Sequence, residues 1–273
     1  MSIYDFLRQR VLENLLFLAR KIPRGPLRAV LENSLRALPH GHSVGCRAQQ
    51  INSIAKQMNR CGNYLEIGVQ FGFTLASVEI DSKTGVDPNL RFNPRLAPEV
   101  TLYSTSSDEF FSRLPEGTKY DFIFLDGLHT FEQTARDFLN ALRHLRPGGV
   151  IVVDDVVPSS EAKALPDRDE SLRRQLEETG STDGEWFGDV WKLPVAVEKI
   201  FAGELEVRTF GYGVCGQAIF WESVPGAELE SKREMEFWPY DELKFSDYFP
   251  CEDVVLLPGY SRKFVDCLGE SRG

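Results

Sequence analysis

The sequence predicts an α/β protein built on a doubly wound, mostly parallel sheet. From residue 61 onward, short apolar segments alternate with helical patterns, which is typical of a parallel sheet covered by helices on both faces. The segment 121–125 (DFIFL) is almost entirely apolar, as expected of a central strand buried on both faces. The alternation ends at 205–222, where two strands flank a glycine-rich turn. We expect the last of these strands to close the sheet in antiparallel orientation.

The elements follow one another in a regular order along the chain. We predict strands at 64–68, 84–86, 100–103, 121–125 and 150–153, before the two strands of 205–222. The predicted helices of this part of the chain cover 46–60, 72–80, 107–113, 131–145, 169–178 and 190–202. The sequence Arg146-Pro147-Gly148-Gly149 ends the helix 131–145, because Pro and Gly both interrupt helices.

We predict one α/β domain with an extension at each end. Residues 1–60 form an N-terminal helical extension, 61–223 the core with an insertion or lid at 159–185, and 224–273 an extension packed on the core. Within the first of these, a short helix at 27–37 and a loop at 38–45 lead to the helix 46–60.

The segment 1–21 is predicted to form a further helix. Its apolar side chains lie on one helical face, which includes Phe6, Val11, Leu15 and Leu18. That face either packs on the same domain or on a partner subunit, or it lies on a membrane surface with the help of neighbouring Arg and Lys residues. A homodimer or higher homo-oligomer is therefore one option that the sequence leaves open.

Composition excludes several classes of protein. The chain has 273 residues, of which 42% are hydrophobic and 26% charged, as in soluble globular proteins. The formal net charge of −10 argues against binding nucleic acid through a broad basic face. No apolar run reaches the ~18 residues of a transmembrane helix, so we expect no stable membrane insertion. The five Cys form no CxxC pair, and we expect free thiols in a reducing cytoplasm.

The ends of the first two strands predict a nucleoside site. The first strand runs into Glu66-Ile67-Gly68-Val69-Gln70-Phe71-Gly72, and glycines at a strand-to-helix turn let a ligand approach the backbone and the helix N-terminus. Glu66 at the strand's tip suits a cationic or hydroxyl-bearing ligand. The second strand ends in Gly85-Val86-Asp87-Pro88, and a carboxylate at this place typically binds the hydroxyls of an adenosine ribose.

Two further strands also end in acidic residues, Asp126 after one and Asp154-Asp155 after the other. Because parallel strands end at the same edge of a sheet, the three carboxylates are expected to converge there and to bind Mg²⁺ or Mn²⁺. Alternatively, they only end strands and cap turns. His129, three residues after Asp126, is either a general base or a packing and capping residue.

A family resemblance follows from these motifs taken together. The segments YLEIGVQFG, GVDP and YDFIFLDGLHTFEQTARDFLNALRHLRPGGVIVVDD resemble class I S-adenosylmethionine-dependent methyltransferases. Within that class the last segment resembles a bacterial group of small-molecule O-methyltransferases, similar to the metal-dependent macrolide-sugar and catechol O-methyltransferases. The resemblance covers 60–160 and extends more loosely to 186–192, which contains GDVWK.

The resemblance implies a Rossmann-like sheet of seven strands, mostly parallel with the last strand antiparallel, and a role for each predicted site residue. For the cofactor S-adenosylmethionine, these residues are Glu66, Gly68 and Gly72 at the methionine part, Asp87 at the ribose, Ser107 in the adenine loop, and Asp126. Asp126, Asp154 and Asp155 would bind Mg²⁺, and the catalytic residues would be His129 as base together with Asp126. The chain departs from the family's glycine pattern at Gln70, and from its usual lysine base at His129.

We therefore expect methyl transfer from S-adenosylmethionine to a hydroxyl of a small molecule. A sugar or another vicinal diol or catechol, in a natural-product or glycan pathway, would fit chelation by Mg²⁺. An NAD(P)-dependent oxidoreductase is one alternative, although the chain lacks the full G-x-G-x-x-G spacing. A non-catalytic partner protein that retains a nucleoside pocket is the other.

Overall fold

The computed structural model describes residues 41–91, 99–210, 216–227 and 229, with the backbone alone for 41–46. The helices predicted within 1–37, the turn between the last two strands and most of the extension 224–273 lie outside these residues. The division of the chain into core and extensions stays a prediction. In the described part of the chain, no helix is long and apolar enough to cross a membrane.

One seven-stranded sheet forms the centre of the domain, in the order β3-β2-β1-β4-β5-β7-β6. Its strands are β1 Asn63–Ile67, β2 Ser82–Val86, β3 Val100–Tyr103, β4 Tyr120–Leu125, β5 Leu145–Val153, β6 Leu205–Phe210 and β7 Gln217–Glu222. Strands β1 to β5 are parallel, and β7 lies antiparallel to both β5 and β6. The predicted doubly wound, Rossmann-like sheet with an antiparallel last strand is therefore confirmed.

Helices cover both faces of this sheet. The described helices are α1 Gly41–Ala55, α2 Phe73–Ser77, α3 Ser107–Arg113, α4 Phe131–His144, α5 Arg168–Thr179 and α6 Lys192–Ile200, with a 3₁₀ turn at Ala162–Ala164. Side chains of the strands alternate between the two faces, because successive residues of a strand point to opposite sides. In β4, Phe122 and Phe124 pack in one core with α1 and α2, while Ile123 and Leu125 pack in the other with α4 and α6.

Helix α1 and strand β5 differ clearly from their predicted boundaries. Helix α1 begins at Gly41 within the predicted loop and ends at Ala55. Its Ala48, Ile51 and Ile54 are buried against the sheet, so the helix is an integral part of the core layer. Strand β5 begins at Leu145, which pairs with Tyr120 of β4. The segment Arg146–Gly149 then bulges out of the ladder, and regular pairing resumes between Phe122 and Val150.

The amino-terminal edge of the sheet is held by a buried carboxylate on β4. One oxygen of Asp121 accepts hydrogen bonds of 2.9 Å from the backbone N–H groups of Gly62 and Asn63, and the other lies 2.9 Å from Nε of Arg146. This edge is thereby closed by structural contacts. The opposite edge, where the parallel strands end, carries the predicted site residues.

Candidate active site

A pocket of about 620 Å³ opens at the carboxyl ends of β1, β2 and β4. Six of the predicted site residues line it, namely Glu66, Gly68, Asp87, Ser107, Asp126 and His129. Gly72, Asp154 and Asp155 are not among its lining residues. The convergence of strand ends expected from the sequence therefore brings the predicted cofactor and base residues to one cavity.

The turn after β1 depends on an unusual backbone conformation. Gly68 has φ of 89°, and a Cβ at this position would lie 1.8 Å from the carbonyl oxygen of Asp126. The glycine therefore lets the loops after β1 and β4 touch, besides leaving room for a ligand. Gln70, at the position where the family pattern has glycine, keeps a left-handed φ of 47°. Gly72, with φ of 73°, is the N-cap residue of α2.

Asp87 is held rigidly at the end of β2. Its Oδ2 accepts a hydrogen bond of 2.8 Å from the backbone N–H of Gln70, and its Oδ1 accepts one of 2.6 Å from that of Asn89. The carboxylate thus links the turns after β1 and β2 along the wall of the pocket. Its position at the second strand end is the one from which a carboxylate can bind ribose hydroxyls.

Glu66 is a carboxyl group buried under the pocket. It is 1% exposed, and its Oε2 accepts a hydrogen bond of 2.7 Å from the Tyr64 hydroxyl. Burial raises the pKa of Glu66 to about 8, although the Tyr64 hydrogen bond acts in the opposite direction. Near neutral pH Glu66 is therefore largely protonated, and a cation that entered the pocket would favour its ionised form.

A residue that the sequence did not suggest, Gln133, organises the side of the pocket where we predict adenine. Its Nε2 lies 3.2 Å from Oγ of Ser107, 3.2 Å from Oδ1 of Asp108 and 3.1 Å from Oδ1 of Asp137. Burial raises the pKa of Asp137 to about 6. Gln133 thus ties the first residues of helix α3, Ser107 and Asp108, to helix α4 beside the cavity.

Arg47 of α1 is the second residue that sequence reasoning missed. Its Nε forms an ion pair and hydrogen bond with Oδ2 of Asp154 and lies 3.9 Å from Oδ2 of Asp126, while its NH2 group lies 3.7 Å from Oδ1 of Asp155. A single guanidinium therefore contacts all three carboxylates that were predicted to bind a metal. No local pattern signals this, because Arg47 is 107 residues from Asp154 in the chain.

His129 is oriented by two hydrogen-bond acceptors. Its Nδ1 lies 3.1 Å from the carbonyl oxygen of Trp186 and 3.0 Å from Oδ2 of Asp155. Because both neighbours accept, Nδ1 carries the proton and Nε2 keeps its lone pair in the neutral ring. Nε2 lies 3.8 Å from Oδ1 of Asp126 at the pocket. The Trp186 ring stacks on the imidazole, with centroids 5.1 Å apart and 15° between the planes.

The GDVWK segment, residues 188–192, packs against the loop that carries His129. Gly188 has φ of 66°, and a Cβ there would lie 1.6 Å from the carbonyl oxygen of His129. Oδ1 of Asp189 accepts a hydrogen bond of 2.6 Å from the Phe131 N–H at the start of α4, and Oδ2 pairs with Nζ of Lys192 at 2.9 Å. The motif, noted in the sequence through resemblance alone, thus has a structural role beside the candidate base.

Residues 159–185, which were predicted to form an insertion or lid, are attached to the same region. Nζ of Lys163 lies 2.6 Å from Oδ2 of Asp183 and 2.8 Å from Oε2 of Glu185, and Nε2 of Gln175 donates a hydrogen bond of 2.9 Å to the Glu185 carbonyl. Nε1 of Trp186 donates one of 2.7 Å to the carbonyl of residue 165. These bonds fasten the insertion to the segment that carries the ring stacked on His129.

The expected Mg²⁺ does not find an open set of oxygen ligands. Both oxygens of Asp154 are already bonded, Oδ2 to Arg47 and Oδ1 to Nε2 of Gln217 at 3.2 Å. Asp126, His129 and Asp155 each offer an atom within 4.8 Å of the others, but this set includes an imidazole nitrogen. Mg²⁺ prefers oxygen ligands, so the residues fit that ion poorly. Asp154 as a metal ligand stays a prediction.

Closely spaced, buried carboxyl groups characterise this part of the site. Burial raises the pKa of Asp126 well above its usual range, Arg47 acts in the opposite direction, and the neighbouring Asp154 and Asp155 raise it further. Burial likewise raises the pKa of Asp155 to about 6, against the opposing effect of His129. A cation bound beside these carboxyl groups would favour their ionised forms, so this part of the pocket favours a positively charged ligand.

Comparison with known proteins agrees with this arrangement. Residues 41–156, from α1 to the loop after β5, match the family described as methyltransferase domain. This match over 116 of the 273 residues confirms the resemblance to class I S-adenosylmethionine-dependent methyltransferases that the motifs indicate. No curated protein matches the sequence.

Several solved structures are similar in fold. A putative O-methyltransferase from Klebsiella pneumoniae is 22% identical, with 78% of this chain and 97% of that chain covered and a TM-score of 0.47. An O-methyltransferase from Bacillus cereus in complex with SAH is 18% identical, with 70% and 96% covered and a TM-score of 0.42. TomG, the O-methyltransferase from Streptomyces achromogenes involved in tomaymycin synthesis, is 17% identical, with 68% and 82% covered and a TM-score of 0.43. At these values the likeness says nothing about what this chain methylates.

Proposed function

We propose that this chain transfers the methyl group of S-adenosylmethionine to a hydroxyl oxygen of a small molecule, with His129 as the general base. The observation that carries the proposal is the common pocket of Asp87, Glu66 and His129 at the strand ends. Asp87 would bind the ribose hydroxyls, Gly68 would leave room for the methionine part, and Ser107 would contact the adenine. The other predicted cofactor contacts, Glu66, Gly72 and Asp126, belong to the same proposal.

The electrostatics of the pocket support a sulfonium cofactor. S-adenosylmethionine carries a positive charge at the sulfur, and the acidic groups beneath and beside the pocket would stabilise that charge on binding. The dinucleotide of an oxidoreductase brings a negatively charged pyrophosphate instead, which gains no such stabilisation from these acidic groups. The pocket therefore supports the methyltransferase over the NAD(P)-dependent alternative.

The proton and electron movements balance without a further reactant. The acceptor hydroxyl gives its proton to the lone pair on Nε2 of His129, and its oxygen attacks the methyl carbon. The bond between that carbon and sulfur breaks, and sulfur keeps the electron pair, leaving S-adenosylhomocysteine. The resulting imidazolium would be stabilised by Asp155 at Nδ1 and by Asp126 beside Nε2. Positioning in the pocket would supply much of the rate, since holding two reactants in line is worth ~7–11 kcal/mol.

The acceptor class follows from the polarity of the pocket walls beside the base. Carboxylates such as Asp126 accept hydrogen bonds from hydroxyl groups, and Leu128, 57% exposed at the pocket, offers an apolar contact. A sugar or another vicinal diol, including a catechol, has both hydroxyl groups and an apolar surface. The Mg²⁺ expected at Asp126, Asp154 and Asp155 is not part of this mechanism, because the residues as they are arranged fit that ion poorly. A homo-oligomer and a cytoplasmic location stay predictions.

Isothermal titration of the full chain with S-adenosylmethionine, S-adenosylhomocysteine and NADH tests the cofactor. We expect saturable binding of the first two and none of NADH; the reverse pattern would establish the oxidoreductase. The variant Asp87→Ala should weaken binding of S-adenosylmethionine about tenfold or more, because it loses hydrogen bonds to a charged acceptor. Asp81→Ala removes an exposed carboxylate outside the pocket and is the matched control.

Methyl transfer itself is tested with labelled S-adenosylmethionine against a panel of sugars and catechols. For any acceptor found, His129→Gln should lower kcat about 100-fold or more while the dissociation constant of S-adenosylmethionine stays unchanged. An unchanged kcat would remove His129 from the base position. Cofactor binding without turnover on any hydroxyl acceptor would instead support the non-catalytic nucleoside-binding protein.

A further inference from the structure

We propose that Arg47 is the resident cation among Asp126, Asp154 and Asp155, and that methyl transfer in this chain therefore needs no divalent metal ion. The inference deepens the proposed function, on which it rests, by assigning the positive charge of the site to a side chain. It departs from the Mg²⁺ that the family resemblance implies.

The first argument is the position of the guanidinium. It pairs with Asp154 and lies within 4 Å of both other carboxylates, at 3.9 Å from Asp126 and 3.7 Å from Asp155. The side chain of Arg47 is 25% exposed and that of Asp154 is 0% exposed, so the contact between them is shielded from water. Shielded ion pairs with hydrogen bonds are costly to separate, because each partner would be left as a buried unpaired charge.

The second argument is the state of the ligand atoms. A divalent ion needs several oxygens free to approach at about 2.0–2.1 Å. Oδ1 of Asp154 is bonded to Gln217, its Oδ2 to Arg47, and Oδ2 of Asp155 lies at the imidazole of His129. A metal ion would have to displace these partners and would then lie beside a guanidinium that never loses its charge. The two cations are therefore competitors for one site.

The third argument is that Arg47 is supplied by a fixed element. Helix α1 packs on the sheet through Ala48 and Ile51, which follow the arginine by one and four residues and are 1% and 0% exposed. The helix thus fixes the backbone of Arg47 beside the pocket, and Arg47 is one of the residues that line the pocket. The charge is built into the same domain as the base and the cofactor residues.

The test is the binding of Mn²⁺ to the full chain saturated with S-adenosylhomocysteine. Binding is measured by titration calorimetry and by electron paramagnetic resonance. We expect no saturable binding to the wild type. The variant Arg47→Met keeps an unbranched apolar side chain but removes the charge, and it should gain a single Mn²⁺ site, about tenfold or more tighter than any binding by the wild type. Arg47→Lys keeps a positive charge and should resemble the wild type.

Arg146→Met is the matched control, because Arg146 is also partly exposed and pairs with a buried carboxylate, Asp121, at the opposite edge of the sheet. It should gain no Mn²⁺ site. If Arg47→Met does not fold, the double variant Arg47→Met with Asp154→Asn removes both charges of the pair and replaces it in the comparison. This double variant keeps Asp126 and Asp155 for the ion.

Saturable binding of one Mn²⁺ to the wild type would overturn the inference. It would also be overturned if neither charge-removing variant gained a site, because Arg47 would then not be the competitor. Loss of S-adenosylhomocysteine binding in the wild type would contradict the proposed function, whereas the Mn²⁺ titration can be repeated on the free chain. Once an acceptor is known, wild-type turnover in EDTA should equal that in Mg²⁺.

Discussion

The contact between Gly188 and the His129 loop makes the substitution Gly188→Ala a sharp test of how the candidate base is positioned. The new Cβ would lie 1.6 Å from the carbonyl oxygen of His129, far below any real contact distance. The backbone at this position has φ of 66°, so the substitution also forces alanine into the left-handed region. We expect the loop that carries His129 to move away from Asp155 and Trp186.

The expected losses of stability and of turnover have two sources, the left-handed backbone of the new alanine and the steric clash of its Cβ. Alanine in a left-handed conformation costs ~1–2 kcal/mol of folding free energy. Relieving the clash requires a displacement of more than about 1 Å, and a misplacement of that size lowers turnover by about 100-fold. Overpacking adds a further loss of about 1–3 kcal/mol of folding stability. The dissociation constant of S-adenosylmethionine should remain unchanged, since Gly188 does not line the pocket.

The variant Gly180→Ala separates the backbone cost from the effect of the steric clash. Gly180 has a similar φ of 74°, and a Cβ there would meet nothing within 4 Å. Urea denaturation should therefore show the backbone cost alone in Gly180→Ala and a larger loss in Gly188→Ala. Nitrogen NMR of the imidazole, assigned with His129→Gln, should show the Nδ1–H form in the wild type and in Gly180→Ala, and a mixture in Gly188→Ala. Equal stability losses and an unchanged His129 signal in both variants would refute the reasoning.

Three further predictions concern the first strand and its turn. Because burial raises the pKa of Glu66 to about 8, the folded chain binds a proton that the unfolded chain releases near pH ~4.5. The free energy of unfolding without cofactor should therefore fall from pH ~5 to ~8 in urea titrations, and Glu66→Gln should make this slope less steep; an unchanged slope would contradict the raised pKa. Gln70→Val should lower stability, because a β-branched residue is strongly disfavoured at φ of 47°, whereas Gln70→Gly should not; equal melting temperatures would argue against strain there. Gly68→Ala should abolish S-adenosylmethionine binding in calorimetry, whereas Gly148→Ala, with φ of 75° and no neighbour within 4 Å, should retain it.

Much of the fold was readable from local pattern. Alternating apolar strands and helices predicted a sheet covered on both faces, because each strand of a parallel sheet must bury two sides. The strand ends followed from the same pattern, and with them the common edge at which Asp87, Asp126 and His129 meet. Gly68 was expected to admit a ligand, yet the structure adds a second requirement, the contact with the loop after β4.

The boundaries that differed depend on neighbours distant in sequence. Arg146–Gly149 correctly ended helix α4, but β5 starts before the bulge because Leu145 finds a partner in Tyr120 of the adjacent strand. Similarly, the start of α1 at Gly41 was not marked by a capping signal that local reading could use. Pairing and packing decided these elements where propensity was weak.

The sequence by itself determined the sheet, its carboxyl edge and the acidic and basic groups that lie there, because these follow from strand and helix periodicity. Only the tertiary structure decided which groups are partners. Arg47 reaches Asp154 across 107 residues of chain, and Trp186 orients His129 across 57. Such contacts depend on how helices pack on a sheet and leave no local signature, so the choice between a metal ion and an arginine at this edge could not be made from spacing. Burial, which sets the charge of Glu66, is likewise a property of the assembled core.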